Sequence, residues 1–269
     1  MAEPRGRRPE GFAEGSRVRA LARRKRRQRR QLLVIAAVLV IGAALVTADL
    51  VHLWPGSSGP PAGNRTATPT PTPGGPPPGV PDAGPGTYAY ADGSDQVIGA
   101  GAGAVKKYRV AVEDGSGSAP GDFAERVRQV LADPKGWTAG GDVRFQPVAQ
   151  SATADFTIFL ATGASSEKMC AAGGIHTDRL TSCRLPGQLI LNLARWVAAI
   201  PGYGAPLAEY QAYELNHQVG RELGRANEAC PGPGQRAPVM QQQALGLKGC
   251  TPNGWPYPGG HLYSGPSVP

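Results

Sequence analysis

The longest uninterrupted apolar stretch of the chain lies near its N-terminus. It runs from Leu32 to Val46, and TADLVHLW extends it to Trp54 with few polar interruptions. A helix needs about 20 mostly apolar residues to cross the hydrocarbon core of a bilayer. We therefore predict a transmembrane signal anchor over residues 31–54. The alternatives are a signal peptide cleaved after the small residues Val46-Thr47-Ala48 and a buried core helix.

A segment rich in proline and glycine follows. Residues 55–86 contain 11 prolines and 8 glycines, with one valine and no aromatic residue. Such a composition buries too little apolar surface to offset the entropy lost on ordering the chain, and its prolines favour extended conformations. The segment is predicted to be a disordered stalk.

Strand-like alternation begins after Thr87, where aromatic residues appear. In KYRVAVE, residues 107–113, every second side chain is Tyr or Val, which is strand periodicity. Apolar and β-branched content predicts further strands over residues 143–148, 155–161 and 188–192. The 183 residues from 87 to 269 are enough for one domain with a sizeable core.

Two segments of this domain have helical periodicity. Residues 122–132 place apolar side chains on one face, and Asp122 and Glu125 have the spacing of a capping box. Residues 207–223 carry an i, i+4 apolar stripe, and Gly224 supplies a stop signal. The chain beyond Gly224 is predicted to be irregular. Strands and helices together indicate an α+β fold.

The positive charge of the chain is concentrated in its first 30 residues. The formal net charge is +8, but residues 1–30 contain 12 basic and 3 acidic side chains, which leaves 16 basic and 17 acidic ones for the rest. A nucleic-acid surface needs its Lys and Arg on the folded domain, so we expect no nucleic-acid partner. The basic run ends one residue before the apolar stretch, which predicts a disordered cytoplasmic tail and an extracytoplasmic domain over residues 87–269.

All four cysteines lie in the predicted extracytoplasmic domain. An even number of cysteines outside the cytoplasm indicates disulfides, and four cysteines allow three pairings. Neighbour pairing is favoured, Cys170 with Cys183 and Cys230 with Cys250, because each bond closes a short loop rich in Gly or Pro. A site with all four thiolates on zinc is the alternative, although no C-x2-C pair is present.

The second predicted helix contains part of a zinc-protease pattern. Such a helix reads H-E-x-x-H, because imidazoles at i and i+4 reach one metal while the Glu activates water. An extended form continues to a Gly, a third His and a Met-containing turn. Here His217, Gly224 and Met240 fit the template; for Met240 the alternative is a core side chain. The remaining positions are Gln218, Arg221 and Asn227.

Several segments in combination resemble a family of actinobacterial membrane-anchored proteins of unknown function with metzincin-like signatures, whose helix reads NHEVGHxLGxxH. The segments are NHQVGRELG after Tyr213, CPGPG at 230–234, APVMQQQ at 237–243, CTPNGWPYP at 250–258, NLARW at 192–196 and LADPKGW at 131–137. The resemblance covers about residues 88–258. It implies a metzincin-like fold: a twisted mixed sheet, a backing helix, an active-site-type helix and an irregular C-terminal part, stabilised by two disulfides.

Zinc chemistry is not carried over by this resemblance. Gln218 cannot take a proton from water, Arg221 has no lone pair and stays cationic, and Asn227 offers only a weak carbonyl oxygen. We expect no cofactor. We expect the Arg221 guanidinium to occupy the place of the metal, paired with Glu222 or Glu228 and in one hydrogen-bond network with His217 and Gln218; a solvated charge on the helix surface is the alternative. His176 and His261 are predicted loop residues, with replacement ligation as the alternative.

Three functions remain open from the sequence. The first is a pseudoprotease, tethered to the membrane through residues 31–54, that binds a peptide, protein or glycan outside the cell. The second is a zinc peptidase with unorthodox ligands. The third is a structural envelope protein in which the cleft plays no part. Under the first hypothesis Tyr210 and Gln242 are expected to line the binding cleft.

Overall fold

The computed structural model describes residues 75–268. The predicted cytoplasmic tail, the predicted transmembrane segment and residues 55–74 of the predicted stalk lie outside the described residues. Between residues 75 and 268, no helix has the length and apolar content to cross a membrane.

The described residues form a mixed α and β structure, as predicted. Its strands are β1 (Tyr88–Tyr90), β2 (Ala104–Glu113), β3 (Val143–Pro147), β4 (Phe156–Ala161), β5 (Cys183–Leu185) and β6 (Gln188–Asn192). Its α-helices are α1 (Pro120–Ala132), α2 (Gly163–Ala172), α3 (Leu193–Ala198) and α4 (Leu207–Glu222). Short 3-10 helices lie between α1 and β3, at Trp137–Gly140, and after α4, at Gln243–Leu245.

The six strands form one mixed sheet. Strands β2, β4 and β6 are parallel neighbours, with Val110 opposite Ile158 and Ile158 opposite Leu189. β3 pairs in parallel with the first half of β2, whereas β1 pairs antiparallel with its end. At the other edge, β5 is antiparallel to β6. Parallel strands are buried on both faces, which explains the nearly continuous apolar runs of β4 and β6.

Two helices pack into the main core beside the sheet. Helix α1 contributes Phe123, Val127, Val130 and Leu131, and α4 contributes Ala212, Leu215 and Val219. The predicted capping box of α1 is wrong, because the helix begins two residues earlier at Pro120 and Glu125 binds Arg128 instead. Proline suits the first helical turn, where its missing N–H has no helical partner.

The C-terminal segment, residues 223–268, is mostly irregular, as predicted. Its buried side chains include the amides of Gln241, Gln243 and Asn253. Gln243 donates to the carbonyls of Pro238 and Asn253, and it accepts hydrogen bonds from Tyr203 and the Asn253 backbone. Backbone groups without a helix or strand ladder are satisfied in this way by side chains.

Ordered contacts begin before the predicted domain boundary at residue 87. The Asp82 carbonyl accepts a hydrogen bond from the Ala164 N–H, and its carboxylate pairs with Arg179 at 2.6 Å. The Gly86 N–H donates to the buried carboxylate of Glu113 at the end of β2. The end of the segment assigned to the stalk therefore packs on the domain.

Candidate functional site

Helix α4 has an apolar side and a polar side. Ala212, Leu215 and Val219 are fully buried in the main core. His217, Gln218 and Arg221 lie on a different side and line a cavity of about 360 Å³. The i, i+4 spacing of His217 and Arg221 puts both on one face, so the helix that completes the core also forms one wall of this cleft.

His217 is fixed in one orientation by the chain after the helix. Its Nδ1 lies 2.9 Å from the carbonyl oxygen of Val239. Burial lowers the pKa of His217 to about 4, the Val239 hydrogen bond opposes this shift, and the positive charge of Arg221 adds to it. The ring is therefore neutral at pH 7. Because a carbonyl oxygen can only accept, Nδ1 carries the proton and Nε2 has the free lone pair.

Met240 packs directly beneath the same helix. A Cβ atom added to Gly220 would lie 2.4 Å from the Met240 sulfur and 2.7 Å from the Trp137 ring, so only glycine fits there without movement. Val239 and Met240 are both buried, and thus one short segment supports the helix and orients His217. Gly224 has a φ of +84°, which suits its predicted place after the last turn.

Arg221 lines the cleft and is half-buried, but its predicted carboxylate pair does not form. Its guanidinium donates to the Arg225 carbonyl oxygen at 2.9 Å. Glu222 pairs instead with Arg184 at 2.6 Å, and Glu228 accepts from the Gly265 N–H. These two carboxylates satisfy other partners, so no ion pair is found for Arg221 within residues 75–268.

Gln218 and Asn227 complete this side of the cleft. The Gln218 side chain is 6% exposed, and it has no hydrogen bond to any described residue. The Asn227 Oδ1 atom is buried without a partner within the same part of the chain. A buried polar atom without a hydrogen bond is unfavourable by about 1–3 kcal/mol. The three changed template positions thus surround a polar space with unused hydrogen-bonding groups.

The opposite wall of the cleft is the loop before β5 and the start of that strand. The disulfide between Cys170 and Cys183 joins this wall to α2, and the second disulfide joins Cys230 and Cys250, so the predicted neighbour pairing is confirmed. Three large apolar side chains of the cleft lining are exposed: Ile175, Leu180 and Leu245. The cleft therefore combines an apolar rim with polar groups from α4.

A buried carboxyl group that the sequence did not point to connects the two walls. Glu214, 3% exposed, accepts hydrogen bonds from Tyr210 in α4 and Ser182 in the loop before β5. Burial raises the pKa of Glu214, and the hydrogen bonds from Ser182 and Tyr210 oppose this shift. The i, i+4 spacing of Tyr210 and Glu214 was the available signal, since such residues are neighbours on a helix.

Some sequence expectations for the cleft are corrected by the structure. Gln242 lines the cleft as predicted, but Tyr210 is fully buried against Tyr203 and Tyr213 and is not among the lining residues. His176 belongs to the cleft wall and lies 3.5 Å from Glu167, whereas the exposed His261 lies in a loop outside the cleft lining. Both histidines are loop residues, as predicted.

The donor set of this site does not fit zinc. The Nε2 lone pair of His217 is suited to a metal, but Arg221 one turn later is a cation without a lone pair. Gln218 and Asn227 are neutral amides, which are weak ligands for this ion. A divalent ion would meet one imidazole and a repelling guanidinium.

A family model matches residues 73–258 of this chain, which belongs to the family described as protein of unknown function DUF3152. The resemblance to a family of unknown function is thereby confirmed. The match begins near the first ordered contacts and ahead of the predicted boundary at residue 87. No curated protein and no solved structure matches the chain.

Proposed function

We propose that this protein is a membrane-anchored pseudoenzyme with a metzincin-like extracytoplasmic domain. It has lost zinc and peptidase activity and uses the remaining cleft to bind a peptide, protein or glycan. The anchor is the apolar segment 31–54, supported by its length and its basic N-terminal flank. Both disulfides support a domain outside the reducing cytoplasm.

The arrangement around α4 supports the metzincin-like part of the proposal. The helix carries His217, ends before a glycine with positive φ, and rests on a buried methionine from a later turn. The short antiparallel strand β5 forms the sheet edge beside the cleft. The histidine, the glycine and the methionine each occupy a position of the template that the sequence resembles, and β5 belongs to a mixed sheet such as the resemblance implies.

The placement of Arg221 is the observation that best supports the loss of zinc. Its side chain lines the cleft with His217, and its charge helps to keep the imidazole unprotonated. General-base catalysis needs a side chain that accepts a proton from water, and the neutral amide of Gln218 cannot do this. The hydrogen-bonding groups of the cleft that have no partner among the described residues are available to bind a ligand.

Metal analysis of the full-length chain in detergent tests the loss of zinc. We expect the native chain to retain no stoichiometric zinc after dialysis against a weak chelator. A variant with Gln218→Glu, Arg221→His and Asn227→His should take up about one zinc ion per chain, since His217 is already oriented by Val239.

The matched control for the triple variant keeps Gln218→Glu and Asn227→His but replaces Arg225, instead of Arg221, with histidine. Arg225 is exposed and absent from the cleft lining, so this control should remain free of zinc. Stoichiometric zinc in the native chain, together with peptide hydrolysis, would overturn the proposal in favour of an unorthodox peptidase.

A further inference from the structure

The cleft next to α4 contains an unused positive charge. Arg184, the other arginine of the lining, is neutralised by Glu222 at 2.6 Å. Arg221 makes one hydrogen bond, to the Arg225 carbonyl, and the rest of its N–H donors have no partner among residues 75–268. Asp178, the carboxylate of the lining, lies on the exposed loop. A half-buried guanidinium with free donors is complementary to a planar anion such as a carboxylate.

The same cleft contains an acceptor that needs a donor. The His217 Nε2 has a lone pair because Nδ1 donates to the Val239 carbonyl. An anion alone would leave this acceptor unsatisfied. A ligand that satisfies this site must present an N–H group close to its negative charge.

The apolar rim of the cleft favours a ligand that has an apolar group. Ile175, Leu180 and Leu245 are 38%, 39% and 58% exposed, and all three belong to the cleft lining. Apolar surface beside a polar floor favours a ligand that carries an aliphatic or aromatic side chain next to its charged group. The cavity of about 360 Å³ has room for a terminal residue rather than for a large folded partner.

Resting on the proposed binding function, we propose that the cleft binds the C-terminal end of a peptide whose last residue is apolar. The terminal carboxylate binds Arg221 and Gln218. The nitrogen of the same residue lies two bonds from the carboxyl carbon, and its N–H donates to the His217 Nε2, while the side chain of that residue contacts the apolar rim. A side-chain carboxylate lacks an N–H at this distance, and an internal peptide group lacks the charge.

Two pools of N-acetylated pentapeptides test this inference. Both pools are random at the first four positions and end in Leu, one with a free carboxylate and the other with a carboxamide. We expect the full-length chain in detergent to bind the carboxylate pool roughly tenfold more tightly, the difference typical of one charge-assisted contact. Competition with acetate distinguishes peptide recognition from general anion binding, and acetate should displace the pool only weakly.

Variants at position 221 test whether Arg221 causes the difference in affinity between the two pools. Arg221→Gln should bring binding of the carboxylate pool down to the level of the carboxamide pool and leave the latter unchanged. Arg221→Lys should restore part of the preference, because it keeps the charge but not the planar pair of donors. Arg225→Gln is the matched control and should behave as the native chain. Circular dichroism of each variant confirms that the fold is kept.

Equal binding of the two pools, no binding of either, or a preference that survives Arg221→Gln would each overturn the carboxylate inference. None of these results bears on the loss of zinc, which metal analysis of the native chain decides separately. The failure of this inference and that of the proposed function are therefore distinguishable.

Discussion

The sheet with α1 and the C-terminal segment are held together by different interactions. The sheet region packs apolar side chains such as Phe156, Ile158 and Leu160, all nearly inaccessible. The C-terminal segment is fixed by buried amides, backbone hydrogen bonds and the Cys230–Cys250 disulfide. Apolar packing is non-directional, whereas hydrogen bonds fix the positions of individual atoms. The cleft lies where the two regions meet at α4: β5 and the loop before it form one wall, and Gln242 and Leu245 of the C-terminal segment belong to the lining.

The largest effect is expected in the sheet region. Phe156→Ala removes a ring that stacks on Tyr108 and contacts Phe145 edge-on. We expect a loss of about 3–5 kcal/mol in the free energy of unfolding, measured by urea denaturation, because a large buried cavity is left. A loss below about 1 kcal/mol would contradict the view that apolar packing dominates this region.

A smaller and more local effect is expected from the second disulfide. Replacing Cys230 and Cys250 by serine releases a loop with a sequence separation of 20 and should destabilise the protein by about 3 kcal/mol. Limited proteolysis should then cut residues 223–268 well before the sheet. Simultaneous cutting of both regions would show that they unfold as one unit and would remove the distinction between them.

The smallest effect is a pH dependence at the junction of the two regions. The folded protein lowers the pKa of His217 from 6.5 to about 4, so below pH 6.5 the unfolded state binds a proton that the folded state does not. Stability conferred by the neutral ring is present above pH 6.5 and is lost as the pH falls towards 4. Between pH 7.5 and pH 5 this amounts to about 2 kcal/mol.

Urea denaturation of His217→Asn at both pH values measures this contribution. The asparagine amide can still donate to Val239 but does not titrate, so the variant should lose about 2 kcal/mol less than the native chain on acidification. His261→Asn, on an exposed loop, is the control and should follow the native chain. An unchanged pH dependence in His217→Asn would contradict burial of a neutral ring.

Regular periodicity made most of the core predictable from the sequence. The strand at Gln188–Asn192 agrees with the prediction at both ends, and α4 ends one residue before its predicted end. Helix α2 was missed because its sequence, GASSEKMCAA, has no apolar stripe. Its first turn is stabilised instead by Glu113, which accepts hydrogen bonds from the Thr162 N–H and the Ser165 hydroxyl across about fifty residues of sequence. A local sequence pattern cannot reveal a contact between residues that lie so far apart in the chain.

The site was partly predictable for the same reason. Helical spacing alone placed His217 and Arg221 on one face, and the template placed Met240 in the Met-containing turn. The sequence could not show that Glu222 binds Arg184, since that pairing depends on the position of β5. β5 itself was missed because it is three residues long, although the Pro186-Gly187 turn signal before β6 indicated a hairpin.

The attachment of Asp82 gives the cleft a mechanical connection to the rest of the chain. Asp82 binds the first turn of α2 and the side chain of Arg179, and the residues on either side of Arg179, Asp178 and Leu180, line the cleft. Val80, two residues earlier, packs against the main core. The chain therefore enters the domain through contacts with both the core and the cleft wall, so a displacement of residues 80–82 would disturb both.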